Sequence, residues 1–112
     1  MTGIKNRSLA KLLTTSNQDV YVVPGHFVSK VYSILVSNKT ASGATVTLEW
    51  YDSKLTTWYA ILGATSVAAN ALTQLDDVMY LQSGDKIRAL ASTGSAITVT
   101  ISVEETFRVS EL

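Results

Sequence analysis

Residues 44–51, Ala-Thr-Val-Thr-Leu-Glu-Trp-Tyr, alternate between apolar and polar side chains. Val46, Leu48 and Trp50 fall on one parity, and Thr and Glu residues fall on the other. Since successive side chains of a β-strand point to opposite faces, this period predicts a strand with one buried and one solvated face. The same period returns over residues 96–104, where β-branched apolar residues alternate with Thr, Ser and Glu. Two such strands in one short chain predict an antiparallel β-sandwich or barrel.

Turn residues divide the rest of the chain into further short strands. Pro24 and Gly25 end a strand predicted over residues 20–23, and loops rich in Ser, Thr, Asn and Gly separate the later strands. Residues 27–37 carry apolar side chains on both parities, which predicts a central strand, or one that twists or bulges midway. Residues 63–70 are small and weakly patterned, and are predicted to cross between sheets. The fold class predicted is all-β: a single antiparallel, jelly-roll-like β-sandwich of about eight strands.

The composition fits one domain with part of its surface covered by a partner. Residues 1–15 are predicted to form an N-terminal arm or lead-in, and residues 16–112 the β-sandwich domain. Charged residues make up 16% of the chain, whereas about 25% is usual for soluble domains. Nine basic and nine acidic residues leave the chain formally neutral, which argues against a nucleic-acid partner. Since there is no cysteine, no disulfide framework is expected.

Targeting signals are not predicted. The N-terminus has no apolar run long enough for a signal peptide, and no stretch approaches the roughly 18 apolar residues of a membrane span. We therefore expect a soluble protein, made in a cytoplasm and without a membrane partner.

Catalytic chemistry and metal binding are not predicted either. The single histidine, His26, adjoins a turn, and one histidine without cysteine excludes His/Cys zinc sites. The carboxylate pairs Asp76-Asp77 and Glu104-Glu105 are adjacent in sequence, so on a strand each pair points to opposite faces and cannot act jointly on one bond. The sequence thus predicts a non-enzymatic protein with no catalytic residue, no metal site and no cofactor.

The first candidate partner-binding residues are basic. The first eighteen residues contain Lys5, Arg7 and Lys11 and no acid. Short charge clusters of this kind are either ordinary solvated chain ends or electrostatic docking sites on a neighbouring subunit. The sequence leaves both interpretations open.

The second candidate surface is aromatic. Trp50 and Trp58 are expected to lie opposite each other across a hairpin centred on residues 52–54, with Tyr51 and Tyr59 sharing the other face. In one interpretation the tryptophans fill the core while the tyrosines screen a sheet edge or a subunit contact. In the alternative, Tyr51 and Tyr59 stack sugars or bases.

Two segments resemble small β-sandwich virion proteins of tailed bacteriophages. The first runs from Val22 to Glu49 and contains Val-Val-Pro-Gly-His-Phe-Val-Ser-Lys-Val-Tyr-Ser-Ile-Leu-Val-Ser-Asn-Lys-Thr, followed by a Ser/Thr/Gly loop and the Thr-Val-Thr strand. The second contains Leu-Gln-Ser-Gly-Asp-Lys-Ile at residues 81–87, which is similar to the Leu-x-x-Gly-Asp-x-Ile turn of those proteins, and the closing strand at residues 97–104. The resemblance spans residues 20–105.

The resemblance implies a structural, non-enzymatic subunit located in the virion. Its first implied role is a capsid decoration or cement protein that binds and stabilises the assembled shell. Its implied partners are the major capsid protein or other virion proteins, together with further copies of itself, with the trimer as a common form. Lys5, Arg7 and Lys11 would then form the anchoring arm. A phage tail or neck component, and a carbohydrate-binding β-sandwich module, are the alternatives.

Overall fold

The computed structural model describes residues 3–108, which form nine β-strands and no helix within that range. The strands are β1 (Ile4–Leu12), β2 (Gln18–Val22), β3 (Phe27–Asn38), β4 (Ala44–Asp52), β5 (Thr57–Val67), β6 (Leu72–Leu75), β7 (Met79–Leu81), β8 (Lys86–Ala91) and β9 (Ile97–Phe107). Accordingly, the described chain has no helix that would cross a membrane.

The strands form two antiparallel sheets that pack face to face. The five-stranded sheet has the order β1-β9-β3-β6, with β7 pairing with β3 beyond β6, and the four-stranded sheet has the order β2-β8-β4-β5. Counted with β6 and β7 as one interrupted strand, this is a jelly-roll arrangement of eight strands. The predicted all-β antiparallel sandwich is confirmed.

The core lies between the sheets and follows the alternation read from the sequence. On β9, Ile101 and its apolar neighbours at every second position are completely buried, while the Thr and Ser residues between them are half-buried on the outer face. On β4, Val46 and Leu48 are completely buried in the same way. Ile101 pairs with Leu9 on one side and Ile34 on the other, which places it in the middle of its sheet.

Strand β3 contains a bulge that explains its apolar residues on both parities. Its pairing with β9 shifts between Val31 and Ser33, so Tyr32 drops out of the register and is 40% exposed. Before the bulge Val31 points inward, and after it Ile34 does so. The parity of the inward residues therefore changes once along the strand, as the extra residue of a bulge requires.

The segment 63–70 departs from its predicted role as a crossing between sheets. Residues 63–67 continue β5 and pair with β4 as far as Val67, which lies opposite Ala44 and is buried. The crossing occurs only at residues 68–71, where the Ala71 N–H donates to the Ala68 carbonyl. Small residues suit β5 because it is the edge strand of its sheet and has a neighbour on one side only.

The N-terminal segment is more regular than the sequence indicated. Within residues 1–15, predicted as an arm or lead-in, residues 4–12 form β1 and pair without interruption with β9. Leu13 follows directly and is completely buried. The predicted division of the chain at residue 15 stays a prediction.

Two buried polar side chains tie loops to the sandwich. The Asn38 amide donates to the carbonyls of Ser42 and Val67, and its side-chain oxygen accepts hydrogen bonds from the backbone N–H and the hydroxyl of Thr40. All of these bonds measure 2.7–3.1 Å. The loop after β3 is therefore anchored to the end of β5.

Asp85 performs the same task at the opposite end. Its Oδ1 accepts bonds from the backbone N–H and the hydroxyl of Ser53 at 2.9 and 2.8 Å, and its Oδ2 accepts one from the Gln82 N–H at 2.9 Å. Gly84, at φ +86°, makes the tight turn that presents the carboxylate, in a conformation that other residues rarely adopt. The β4–β5 turn is thus held against the β7–β8 turn.

Candidate functional site

The outer surface of the five-stranded sheet carries a broad patch without charge, which we call the uncharged face. Its side chains come from four adjacent strands: Ser8, Ala10 and Leu12 of β1; Thr98, Thr100 and Ser102 of β9; Ser33, Leu35 and Ser37 of β3; and Leu72 and Gln74 of β6. Paired residues of the four strands form rows across the sheet, and one such row consists of Ala10, Thr100, Leu35 and Gln74. Charged side chains lie at its margins: Lys30 and Glu104 pair further along the strands, and Asp76 accepts a hydrogen bond from the Gln74 amide at 2.7 Å.

This composition suits contact with another protein. Ser and Thr hydroxyls exchange hydrogen bonds readily, as Ser8 and Ser102 already do at 2.9 Å. Burying such a surface requires no charge to leave water, which would otherwise cost several kcal/mol. The exposed Leu12 and Leu72 at its two margins add apolar area.

The basic residues predicted as an anchoring arm share one face of β1. Lys5, Arg7 and Lys11 pair with Glu105, Val103 and Val99, whose side chains point into the sandwich. The three cations therefore lie on the inner side of the strand and are exposed, with Lys5 Nζ 4.9 Å from the Phe27 ring centroid. Their role in binding a partner stays a prediction.

Arg7 has a structural contact that the sequence analysis missed. Its guanidinium lies 3.1 Å from Glu105 Oε2, and the Glu105 side chain is completely buried whereas that of Arg7 is 42% exposed. The Tyr21 hydroxyl, also buried, donates to the same oxygen at 2.5 Å and lies 2.9 Å from the Ser29 hydroxyl. Among the described side chains, Glu105 Oε1 is a buried oxygen without a hydrogen-bond partner. This network joins β1, β2, β3 and β9 at one end of the core.

The environment of Tyr21 changes its acidity. Burial, and after it the hydrogen bond to the Glu105 carboxylate, raise the pKa of the Tyr21 hydroxyl well above its usual value near 10. The folded state therefore favours the protonated phenol.

An alkaline loss of stability follows from this raised pKa. Above about pH 10 the unfolded chain releases the Tyr21 proton while the folded chain keeps it, so the free energy of unfolding should fall by up to about 1.4 kcal/mol per pH unit from this residue. Below pH 10 this contribution is fully present. Urea unfolding between pH 8 and pH 11 should show a shallower decline for Tyr21→Phe than for the unmodified chain.

A matched control is Tyr80→Phe, because Tyr80 is 72% exposed. The free energy of unfolding of Tyr80→Phe should fall with rising pH as steeply as that of the unmodified chain. Equal slopes for Tyr21→Phe and Tyr80→Phe would contradict the role assigned to Tyr21.

The predicted arrangement of the aromatic residues is wrong. Tyr51 lies opposite Trp58, with ring centroids 5.0 Å apart, and Trp50 lies opposite Tyr59, with centroids 5.4 Å apart. Each face of the hairpin therefore carries one Trp–Tyr pair, and Tyr51 and Tyr59 point to opposite faces. The cause is the turn, which occupies residues 53–56 and so moves the register by one residue from the predicted one.

The outward pair is covered by cations from β8. The Arg88 guanidinium lies 3.7 Å from the Trp58 ring centroid and binds Glu49 at 2.7 Å, and Lys86 Nζ lies 5.4 Å from the Tyr51 centroid. Stacking a sugar on these rings would displace both cations. Sugar or partner binding by Tyr51 and Tyr59 stays a prediction, but the two rings do not form one platform.

A cleft opens between the sheets on the side of β5, β6 and β7. It has a volume of about 250 Å³ and is lined by Ile34, Trp50, Ala60, Ile61, Leu75, Met79 and Asp77. Except for Asp77 these are apolar side chains, so part of the core is reachable from this edge. Sequence patterns did not indicate the cleft, because it depends on which strands end the two sheets.

Polar groups that resemble catalytic or metal-binding residues have structural partners. The Ser29 hydroxyl contacts Tyr21, and the Asp85 carboxylate is engaged by Ser53 and Gln82. His26 sits in the turn before β3 with φ +68°. In residues 3–108 no three His, Cys, Asp or Glu side chains are grouped as metal ligands would be.

Comparison with family models and with curated proteins finds no match, but the fold resembles solved structures. A chain of the Bacillus endospore appendages, which form disulfide-linked pili, superposes with a TM-score of 0.57 at 14% identity, over 97% of this chain and 89% of that one. A chain from infectious bursal disease virus strain Gx superposes with a TM-score of 0.56 at 9% identity. The superposition covers 100% of this chain and 34% of the viral chain, so this chain spans about a third of the viral chain's length. At such identities the likeness shows the fold alone: this chain has the two-sheet β-sandwich fold found in both.

Proposed function

We propose that this chain is a non-enzymatic structural subunit of a tailed-bacteriophage virion, where it acts as a capsid decoration or cement protein. The observation that carries the proposal is the uncharged face, which spans four strands and carries no charged side chain of its own. The resemblance of residues 20–105 to small phage virion proteins supports a phage virion as the assembly to which the chain binds.

The solved neighbours support an assembly role in general terms. One belongs to a pilus and the other to a virus, so this fold does occur in large protein assemblies. The neighbouring pili are disulfide-linked, whereas this chain contains no cysteine. Its contacts with other subunits would therefore be non-covalent.

Cement action requires no chemistry from the protein. A subunit that binds the assembled shell, and not its separated components, stabilises the shell by mass action. Each bound copy adds its binding free energy to the assembled state alone. A rigid sandwich with a flat, uncharged contact surface is sufficient for this purpose.

The proposal predicts saturable binding through the uncharged face. Mixed with capsids of a phage that encodes this sequence, the protein should sediment with them at a fixed ratio to the major capsid protein. Thr100→Lys places a charge in the middle of the uncharged face and should weaken binding at least tenfold, because a buried unpaired charge costs well over 1.4 kcal/mol. The measurement is the bound fraction against protein concentration.

The control is Thr45→Lys, which makes the same substitution on the outer face of the four-stranded sheet. Thr45 is half-buried like Thr100, and within residues 3–108 neither side chain makes a hydrogen bond. Thr45→Lys should bind like the unmodified protein. If both variants bound equally well, the uncharged face would not be the contact surface. If the unmodified protein did not sediment with capsids, the capsid would not be its partner.

The two alternatives give different outcomes in the same experiment. Binding to purified tails or necks instead of capsids would identify a tail or neck component. Binding to polysaccharide that is lost in Tyr51→Ala or Tyr59→Ala would identify a carbohydrate-binding module.

A further inference from the structure

Strand β1 is exposed to an unusual degree for a strand of nine residues. Every residue of it pairs with β9, yet only Leu9 is partly buried and the other eight side chains are exposed. Ile4 and Leu12 are 55% and 50% exposed. Within residues 3–108, both faces of β1 and its outer edge are therefore exposed.

The free edge of β1 is also regular. Its register with β9 runs from residue 4 to residue 12 without a bulge. The edges of the other sheet are irregular, since β2 shifts register between Asp19 and Tyr21 and β5 does so twice against β4. Bulges of this kind protect edges from pairing with other chains. Strand β1 lacks this protection.

Charge provides a selective form of protection instead. Lys5, Arg7 and Lys11 on the inner side of β1 would oppose one another if two β1 strands paired about a twofold axis, and like charges placed opposite are destabilising. A strand that offers carboxylates would instead be attracted. The charges therefore disfavour a symmetric β1–β1 contact and favour an acidic partner.

The opposite edge of the same sheet offers such an acidic partner. There β6 and β7 flank residues 76–78, which contain the exposed Asp76 and Asp77, and Asp77 also lines the apolar cleft. The strand order β1-β9-β3-β6 is antiparallel throughout. In a second copy of the same orientation, β1 would consequently lie antiparallel to β6 and continue the sheet.

We propose that copies of this chain associate head to tail, with the β1 edge of one copy added to the β6–β7 edge of the next. Basic side chains on the inner side of β1 then approach Asp77, which lines the cleft, and the inner side of β1 covers the cleft. The contact is heterologous, so it generates a ring where the rotation closes and a filament where it does not. This inference deepens the proposed function, on which it rests, by assigning the contact between copies to two named sheet edges.

Two charge-reversed variants test the pairing. Lys5→Glu/Lys11→Glu makes β1 acidic and leaves the Asp edge intact, whereas Asp76→Lys/Asp77→Lys makes the other edge basic and leaves β1 intact. Either variant alone opposes like charges, so its self-association should be at least tenfold weaker than that of the unmodified chain. An equimolar mixture opposes unlike charges at both types of contact and should associate again. Sedimentation velocity over a range of concentrations measures each case.

The control reverses two basic residues elsewhere. Lys39→Glu/Lys54→Glu makes the same change in charge in two loops and should associate like the unmodified chain. All altered positions are exposed or half-buried, and thermal unfolding verifies that each variant folds. A monomeric unmodified chain, variants that associate undiminished, or a mixture no better than its components would each overturn the head-to-tail contact.

The capsid experiment separates this inference from the proposed function. Capsid binding that persists without self-association would overturn the head-to-tail contact and leave the cement role standing. Self-association with charge-swap rescue but without capsid binding would support the contact and remove the cement role.

Discussion

Replacement of Asp85 with alanine should lower the free energy of unfolding by about 3 kcal/mol, because it removes an ionised acceptor from three hydrogen bonds at once. The carboxylate is 3% exposed, so water cannot simply replace it. The N–H groups of Ser53 and Gln82 would lose their acceptor. Urea unfolding at neutral pH measures the change, and the thermal midpoint should fall by roughly 15 °C.

Asp85→Asn is the matched variant. The amide oxygen preserves an acceptor for Ser53, but the amide NH₂ group meets the Gln82 N–H, so we expect about half of the alanine effect. A loss under about 0.5 kcal/mol for Asp85→Ala would show that the two turns do not depend on this carboxylate.

The second large effect is expected at the centre of the core. Ile101→Ala should lower the free energy of unfolding by about 3–4 kcal/mol, since it removes three carbon atoms from a completely buried site and leaves a cavity. Ile101 lies between Leu9 and Ile34 in the register, so both β1 and β3 lose contacts. Denaturant unfolding provides the measurement.

Leu35→Ala is the control for the core. Leu35 lies one position along the register on the same sheet, opposite Thr100, but it points outward onto the uncharged face. Its replacement should cost less than about 1 kcal/mol. If the two variants were equally destabilised, the assignment of inner and outer faces would be wrong.

The sequence predicts the fold best in strands that have one buried face and one solvent-facing face. On β4 and β9 one face is core and the other is surface, so alternation in the sequence translates directly into burial. On β3 the apolar residues on both parities predicted a central strand, or one that twists or bulges midway; β3 lies between β9 and β6 and shifts register between Val31 and Ser33. In these strands local sequence and tertiary burial agree.

The N-terminal strand was not predictable in this way, because β1 has no buried face. Its side chains alternate between basic residues and a mixture of small and apolar ones, and eight of nine are exposed. It becomes a strand through backbone pairing with β9 and through the Arg7–Glu105 contact. These long-range contacts leave no hydrophobic period in the sequence.

The aromatic pairs failed for a more local reason. The turn after β4 contains four residues and ends at Thr56 with φ +49°, while Asp52 accepts hydrogen bonds from the Lys54 and Leu55 N–H groups. The polar residues 52–54 predict a shorter turn. Because the side-chain period is two, an error of one residue in register exchanged the partners of both tryptophans.

The sequence position of Glu105 indicates that its side chain is buried. Glu105 lies two residues after Val103 and so falls on the inward-facing parity of β9. A buried carboxylate requires a cation or hydrogen-bond donors. The identity of those partners, Arg7 and Tyr21, depends on the fold and could not be read from the sequence.

The pairing of β1 with β9 also fixes the order of events during synthesis. Ile4 pairs with Thr106, and Arg7 and Glu105 are 98 positions apart. At about 5–20 residues per second, the ribosome takes on the order of 5–20 seconds to produce the partner of the first strand. Until then the first strand has no neighbour, and the core lacks the central strand of one layer. Strand β1 therefore cannot offer a paired edge to another chain before residues 98–106 have been made.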